Sequence, residues 1–370
     1  MPARPHVDEV LDRATGALLG LAVGDALGMP TQQMTRAEVV TRFGPCLVRL
    51  EPAAPDHPIA AGLLAGTVTD DTEQAVLLGE LLVEGGGRIE PTVWARRLQE
   101  WEHEMVRRGS ADLLGPSTRR ALRAVAAGVP PEDAGAHGDT NGAAMRITPV
   151  GIAVDGRDPA RLLNAVVEVS HVTHGTDIAL AGAAAVAAAV SAGVGGADIA
   201  GATAAAMRVA PLAARHGRPT GAPELDDLVD RAVGLVAALN PDGGGGIDAV
   251  AMVIVEQVGT GLAMAESVPA AFAVLAAIPD RPWDACRLAA SLGGDTDTIA
   301  AMVGAVAGAC YGADAFPPEV RDTVLTVNQL ALEELATRLL ALRTSTSGAL
   351  WPDRDAEKRP ERATERGGRS

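Results

Sequence analysis

Two short stretches of this 370-residue chain place carboxylates and hydroxyls together at the entrance of an apolar helix. Residues 291–298 read Ser-Leu-Gly-Gly-Asp-Thr-Asp-Thr and run straight into the apolar segment 299–310. Far upstream, Thr69-Asp70-Asp71-Thr72 opens a second apolar run at 75–82. The paired glycines permit a tight turn. Asp295, Asp297 and the adjoining threonines then fall where a helix N-cap and first turn belong. A cap needs only one such side chain, and carboxylates this close repel each other unless a cation lies between them. Every candidate ligand is oxygen, which favours Mg²⁺, Mn²⁺ or Ca²⁺ over Zn²⁺ or Cu²⁺. Four carboxylates could hold more than one ion.

The elements that must position these clusters are helical. No strand-like alternation of any length occurs, so the chain is expected to be all-α, long enough for one large core or two modest ones. Aromatics make up only 2% and hydrophobic residues 48%. With Ala and Gly dominant, such a core implies many closely packed helices. The first helix is expected over 7–29, with Gly16, Gly20, Gly24 and Gly28 four apart on one face, where another helix or a ligand could press close. Asp25 is stranded inside this apolar segment, either satisfying nearby backbone or an Arg, or supporting the metal site from behind. A capping box begins at Thr35. Further helices are expected near 70–85, 91–108, 118–128, 247–258 and 266–277, with a last one over 317–343. Residues 178–194 are long and apolar enough to raise a membrane-spanning reading. Their alanines and glycines are weakly hydrophobic and lack basic flanks, so a buried helix is expected. Residues 344–370 are polar and expected to be disordered.

Charge and cysteine usage narrow the partners. The net charge of −16 argues against a nucleic-acid surface. Lys358 is the only lysine, so Arg and metal must neutralise any anionic substrate. Three widely spaced cysteines without a CxxC pair suit a reducing compartment, and no secretory signal is visible; a cytoplasmic protein without membrane contact is expected. The stretch 137–146, His-Gly-Asp-Thr-Asn-Gly-Ala-Ala-Met-Arg, reads as a ligand-holding loop in which Arg146 could grip a phosphate bidentately. His171 and His174 lack a third nitrogen or sulfur ligand, so a substrate or supporting role is expected rather than metal ligation. Dinucleotide and P-loop glycine patterns are absent.

These motifs together resemble the ADP-ribosylglycohydrolase family, including the dinitrogenase-reductase-activating glycohydrolases. The matching residues are Gly24-Asp25-Ala-Leu-Gly28, Thr67-Val-Thr-Asp-Asp-Thr72, Asn141-Gly-Ala-Ala-Met-Arg146, Thr173-His174 and Gly293-Gly-Asp-Thr-Asp-Thr298. They occur in that order over about residues 13–315. The resemblance implies a single-domain orthogonal helical bundle over residues 1–343 with a dinuclear Mg²⁺ or Mn²⁺ centre. Carried over by motif, the metal ligands would be Thr69, Asp70, Asp71, Asp295, Asp297 and Thr298, the four aspartates serving also in catalysis. Asn141, Gly142, Met145, Arg146, His174 and Gln32 would hold the substrate. Many relatives carry an acid seven residues beyond the first Gly-Asp motif; here that position is Gln32, a neutral amide that cannot act as a base. Glu73 and Glu266 are possible substitutes. Gly175 after His174 is a second departure, and both bear on the substrate more than on the metal.

Three activities are consistent with these residues. The first is metal-dependent hydrolysis of the glycosidic bond between ADP-ribose and a protein or small acceptor. The second keeps the hydrolase but changes the substrate to a nucleoside or other small N-riboside, favoured by Gln32 and the scarcity of positive charge. The third is a non-catalytic binding protein on the same scaffold, opposed by the intact aspartate clusters.

Overall fold

The computed structural model describes residues 7–110, 114–239 and 246–344. Eighteen α-helices and one 3₁₀ turn account for the regular structure, with no strand among the described residues. The all-α expectation is met. Residues 240–245, and the tail beyond Thr344, lie outside the described residues; Gly246 begins a helix and Thr344 ends one.

The centre of the molecule is a pair of helices whose backbones touch. The first helix, Val7–Gly28, lies against Thr296–Tyr311. A Cβ added to Gly20 or Gly24 would overlap the carbonyl oxygen of Gly304 or Ala300 respectively, and one on Gly28 would meet Asp297 backbone at 2.5 Å. As residue numbers rise by four on one helix they fall by four on the other, so the pair is antiparallel. The small-residue stripe therefore serves a helix rather than a ligand. Only glycine allows this approach, because any side chain would occupy the partner's backbone.

Asp177–Val194 passes through the middle of the protein, with 89% of its length buried. Its apolar alanines pack against Ile199–Ala214 and the Thr296–Tyr311 helix, and Gly193 abuts Ala309. Among the described residues it is the one helix long and apolar enough to cross a membrane, but its surroundings are protein core. The capping box at Thr35 and Glu38 forms as expected.

One expected element is divided. Instead of a single last helix over 317–343, there are two, Pro318–Asn328 and Leu332–Thr344. Gln329 between them is left-handed, with φ 53°. The break frees Asn328 to clasp the loop ahead of Thr69. Its Nδ2 donates to the Gly66 carbonyl at 2.8 Å, and its Oδ1 accepts from Val68 N–H at 3.1 Å. Tertiary hydrogen bonds thus override the helical pattern at this point.

The touching pair generates a paired prediction. Gly24→Ala should destabilise the protein by about 3 kcal/mol or more in urea denaturation, since backbone must separate. Gly234, in helix Leu225–Ala237, has open space where a Cβ would go. Gly234→Ala should stabilise by about 0.5–1 kcal/mol through helix propensity alone. Equal effects at the two sites would show that the helices do not touch.

Candidate active site

The two acidic clusters meet because each sits at a helix start facing the same pocket. Thr69 is the N-cap of helix Asp70–Glu84, and its Oγ1 accepts from Asp71 N–H. Beneath it lies Asp25, fully buried one turn before the end of the first helix. Both Asp25 oxygens accept from Thr69 N–H at 3.0 Å, and Oδ2 also accepts from Thr72 N–H at 3.1 Å and the Thr72 hydroxyl. Burial pushes its pKa up to about 6 against the lowering effect of those bonds. Asp25 therefore satisfies backbone, and the backbone it satisfies is that of the acidic cluster.

On the opposite wall, Gly293 and Gly294 both take left-handed conformations, φ 84° and 81°. Gly294 is clasped from both sides: its N–H donates to the Met34 carbonyl and its carbonyl accepts from Gln33 N–H, each at 2.7 Å. Asp295 is the N-cap residue of the helix that follows. The alternating acids and hydroxyls divide by direction. Thr296 turns back to the first helix, donating to the Gly28 carbonyl and meeting the Thr31 hydroxyl at 2.9 Å. Asp295, Asp297 and Thr298 line the pocket.

A hydrogen bond joins the walls: the Thr298 hydroxyl donates to Asp71 Oδ2 at 3.3 Å, alongside the Thr69 hydroxyl at 3.2 Å. Asp71 is 1% exposed, and its Oδ1 is buried with no hydrogen-bond partner. Burial, followed by the charges of Asp297, Asp70, Asp25 and Asp295, holds Asp71 well above the ordinary carboxylate range. Asp295 is lifted to about 6 by burial, while Asn141 Nδ2 fixes its Oδ2 at 2.5 Å. A buried carboxylate oxygen without a donor, among like charges and hydroxyls, suits a hard cation. Among the described residues no group of three or more His, Cys, Asp or Glu side chains is placed to hold a metal ion. Mg²⁺ does not require one, because it keeps several waters and usually takes only one or two carboxylates from the protein.

The pocket encloses about 320 Å³. Asp70, Asn141, Gly142, Met145 and Gln32 line it with Asp295, Asp297 and Thr298. Thr69 and Asp71 sit just behind this lining, and Arg146 and His174 do not reach it either. The expected phosphate grip of Arg146 is instead directed into the core, where the guanidinium donates to Gln74 Oε1 and Thr173 Oγ1, each at 2.6 Å. His174 is 0% exposed and sits behind Gly142 and Thr140. The cation that does line the pocket is Arg119, whose side chain is 41% exposed and 3.6 Å from Glu102. Its signal in the sequence is slight, a Ser-Thr-Arg-Arg run behind Pro116 at a helix start.

Gln32 is 3% exposed, and its Nε2 has no hydrogen-bond partner. His57, unremarked in the sequence, holds its backbone. The Nδ1 of His57 accepts from Ala60 N–H at 2.9 Å, so the ring proton is on Nε2 and donates to the Gln32 carbonyl at 3.1 Å. Gln33 beyond it is left-handed, φ 61°. Neither proposed substitute acid reaches the pocket: Glu73 accepts from Trp101 Nε1 at 2.6 Å, and Glu266 from Gly261 N–H at 2.8 Å.

The ADP-ribosylglycohydrolase family model matches residues 6–348. The chain belongs to the ADP-ribosylglycohydrolase family. It is 34% identical over 336 residues to an uncharacterized protein of Escherichia coli K12, YegU, covering 90% of this chain and 97% of that one. It is 33% identical over 176 residues to the ADP-ribosyl-[dinitrogen reductase] glycohydrolase of Rhodospirillum rubrum, covering 45% and 52% respectively. A solved structure described as an ADP-ribosylglycohydrolase-related protein complex superimposes with TM-score 0.66 at 28% identity, covering 91% of this chain and 99% of that one. The expected family is thereby shown.

The electrostatics at Asp71 carry a signed prediction. Its folded pKa is raised, so the folded state binds its proton more tightly than the unfolded chain does. Stability is then full below the unfolded value near 3.8 and is lost as pH rises through the folded value. Without metal, Asp71→Asn should raise the melting temperature by about 2–4 °C at neutral pH and leave it unchanged near pH 4. Calorimetric melts at both pH values check this; a uniform loss would mean Asp71 is favourably paired.

Proposed function

We propose that this protein hydrolyses the glycosidic bond linking ADP-ribose to a protein side chain or small acceptor, using a dinuclear Mg²⁺ or Mn²⁺ centre. The observation that carries this reading is the Thr298–Asp71 contact joining the two acidic helix starts, from which Asp70, Asp295, Asp297 and Thr298 line one pocket beside Arg119. Thr69, Asp70, Asp71, Asp295, Asp297 and Thr298 would hold the ions. Bound divalent cations supply charge to fix a ribose diol and to lower the pKa of a coordinated water.

The residues themselves divide the remaining work. Asp295 lines the pocket with one oxygen fixed by Asn141, an orientation that suits it to take a proton from the attacking water. Asp70 and Asp297, lining the same pocket, face the positive charge that develops on the sugar ring as the bond breaks. Arg119 balances the diphosphate from the rim. The relative in R. rubrum, named for removing ADP-ribose from dinitrogen reductase, supports the substrate class.

The test is release of ADP-ribose from ADP-ribosylated substrates, with Mg²⁺ or Mn²⁺ and after EDTA. Activity and a metal-dependent rise in melting temperature are expected, both reversed by chelation, with a KM about tenfold higher in Arg119→Met. Melts that coincide with and without metal would remove the dinuclear centre. A full screen without ADP-ribose release would remove the substrate.

A second reading, hydrolysis of a nucleoside or other small N-riboside, is favoured by the neutral Gln32 amide with its open donor. Gln32→Glu separates the two. It should speed ADP-ribosyl hydrolysis if the site lacks only an acid, and slow turnover of the true riboside if the amide binds it. No change on either substrate class would place Gln32 outside the machinery.

A further inference from the structure

The wall behind the pocket holds a polar chain that runs in one direction. Arg146 is 1% exposed, with its guanidinium 5.3 Å from the centroid of the Trp94 ring. Burial lowers its pKa to about 10, so it stays charged at neutral pH and can only donate. Two arms leave it. Along one, Gln74 accepts through Oε1, which turns its Nε2 toward Asp70 Oδ2 at 2.8 Å. Along the other, Thr173 accepts from Arg146 and has a single proton to give. His174 Nδ1 lies 2.8 Å from that hydroxyl, whereas the Ser170 carbonyl is 3.5 Å away. The shorter bond decides the direction.

His174 has its pKa held well below the ordinary value by burial and then by Arg146 and Arg120. A neutral imidazole carries one N–H. With Nδ1 accepting, that proton is on Nε2, 3.1 Å from Thr140 Oγ1. Thr140 accepts it and keeps its own proton, and its Oγ1 makes no other hydrogen bond among the described residues. Thr140 lines the pocket.

We propose that Arg146 is a positioning residue that acts through Thr173 and His174 to present the Thr140 hydroxyl to the pocket as a hydrogen-bond donor, so that Thr140 selects an acceptor oxygen on the ligand. This role rests on the pocket being the substrate site described above. Reversing the chain would turn Thr140 into an acceptor and invert that preference. The expected phosphate ligand thus acts at one remove: its charge sets the polarity of a chain that ends in a neutral donor.

Side-chain ¹⁵N spectroscopy on the intact chain reads the tautomer, with the His174 signals identified by their loss in His174→Gln. A protonated Nε2 and an unprotonated Nδ1 are expected. Thr173→Val, nearly the same shape without the hydroxyl, should shift the proton toward Nδ1. An Nδ1–H tautomer in the wild type would overturn the proposal, because the Thr140 proton would then be engaged by His174. Calorimetry with ADP-ribose gives an independent reading: Thr140→Val should weaken binding about fivefold to tenfold, and Thr140→Ser should restore it. Unchanged affinity in Thr140→Val would equally overturn the proposal. A wild-type protein that does not bind ADP-ribose would count against the substrate reading of the previous section, while the tautomer would still decide the direction of the chain.

Discussion

The structure depends on atoms that are missing from one face of one helix. Gly16, Gly20, Gly24 and Gly28 let the backbone of Val7–Gly28 rest on that of Thr296–Tyr311. Two helices in such contact cannot slide by a fraction of a turn without collision, so their register is fixed. That register brings the end of the first helix to the start of the second, where Thr296 locks onto the Gly28 carbonyl. Asp25, one turn back, then lies under Thr69, and Asp295 and Asp297 face the helix that Thr69 caps. A packing contact with no side chains thus sets the relative position of carboxylates from three parts of the chain.

Those carboxylates strain the fold that holds them. Asp25, Asp71 and Asp295 are each buried deeply enough that desolvation is the largest influence on their titration. Hydrogen bonds from Thr69, Thr72, Asn141 and Thr298 offset part of that cost. They leave Asp71 Oδ1 without a donor. Such a concentration of like charge is tolerated because its supports are rigid. Asn328 holds the approach to Thr69, while Met34 and Gln33 hold Gly294. Arg36 adds a tie through the Ser291 carbonyl at 2.5 Å and the Asp248 carboxylate. Local cost carried by surrounding structure is the usual mark of a functional site.

What the sequence makes legible is local chemistry. The acidic clusters, the capping box at Thr35 and the glycine stripe each announce themselves within a turn or two of helix. The clusters, together with the Asn141–Arg146 and Thr173–His174 stretches, also carry the family resemblance. What remains hidden depends on partners far along the chain. Nothing near Arg146 shows that Gln74 and Thr173 will enclose it, so a conspicuous arginine in a ligand-like loop reads as a phosphate grip. Arg119 reads as an ordinary helix-surface charge until the pocket forms beside it. His57 has no motif at all, and its part in holding Gln32 exists only once residues 25 apart are brought together. The break at Gln329 is invisible for the same reason, since the bonds that favour it are made with Gly66 and Val68.

The same helix pair also governs when the protein can become itself. Gly16 through Gly28 are made well before the surface shaped to receive them, which is encoded at 296–312. During vectorial synthesis the first helix carries a bare apolar stripe whose partner does not yet exist, and no amount of waiting within the early segments can complete it. The pocket inherits that delay, because two of its walls meet only through this pair. Closing so long a span is slow, and the unclosed state leaves alanine-rich helices exposed in the meantime. Assembly of the acidic centre therefore waits, by topology, on two walls encoded far apart in the chain.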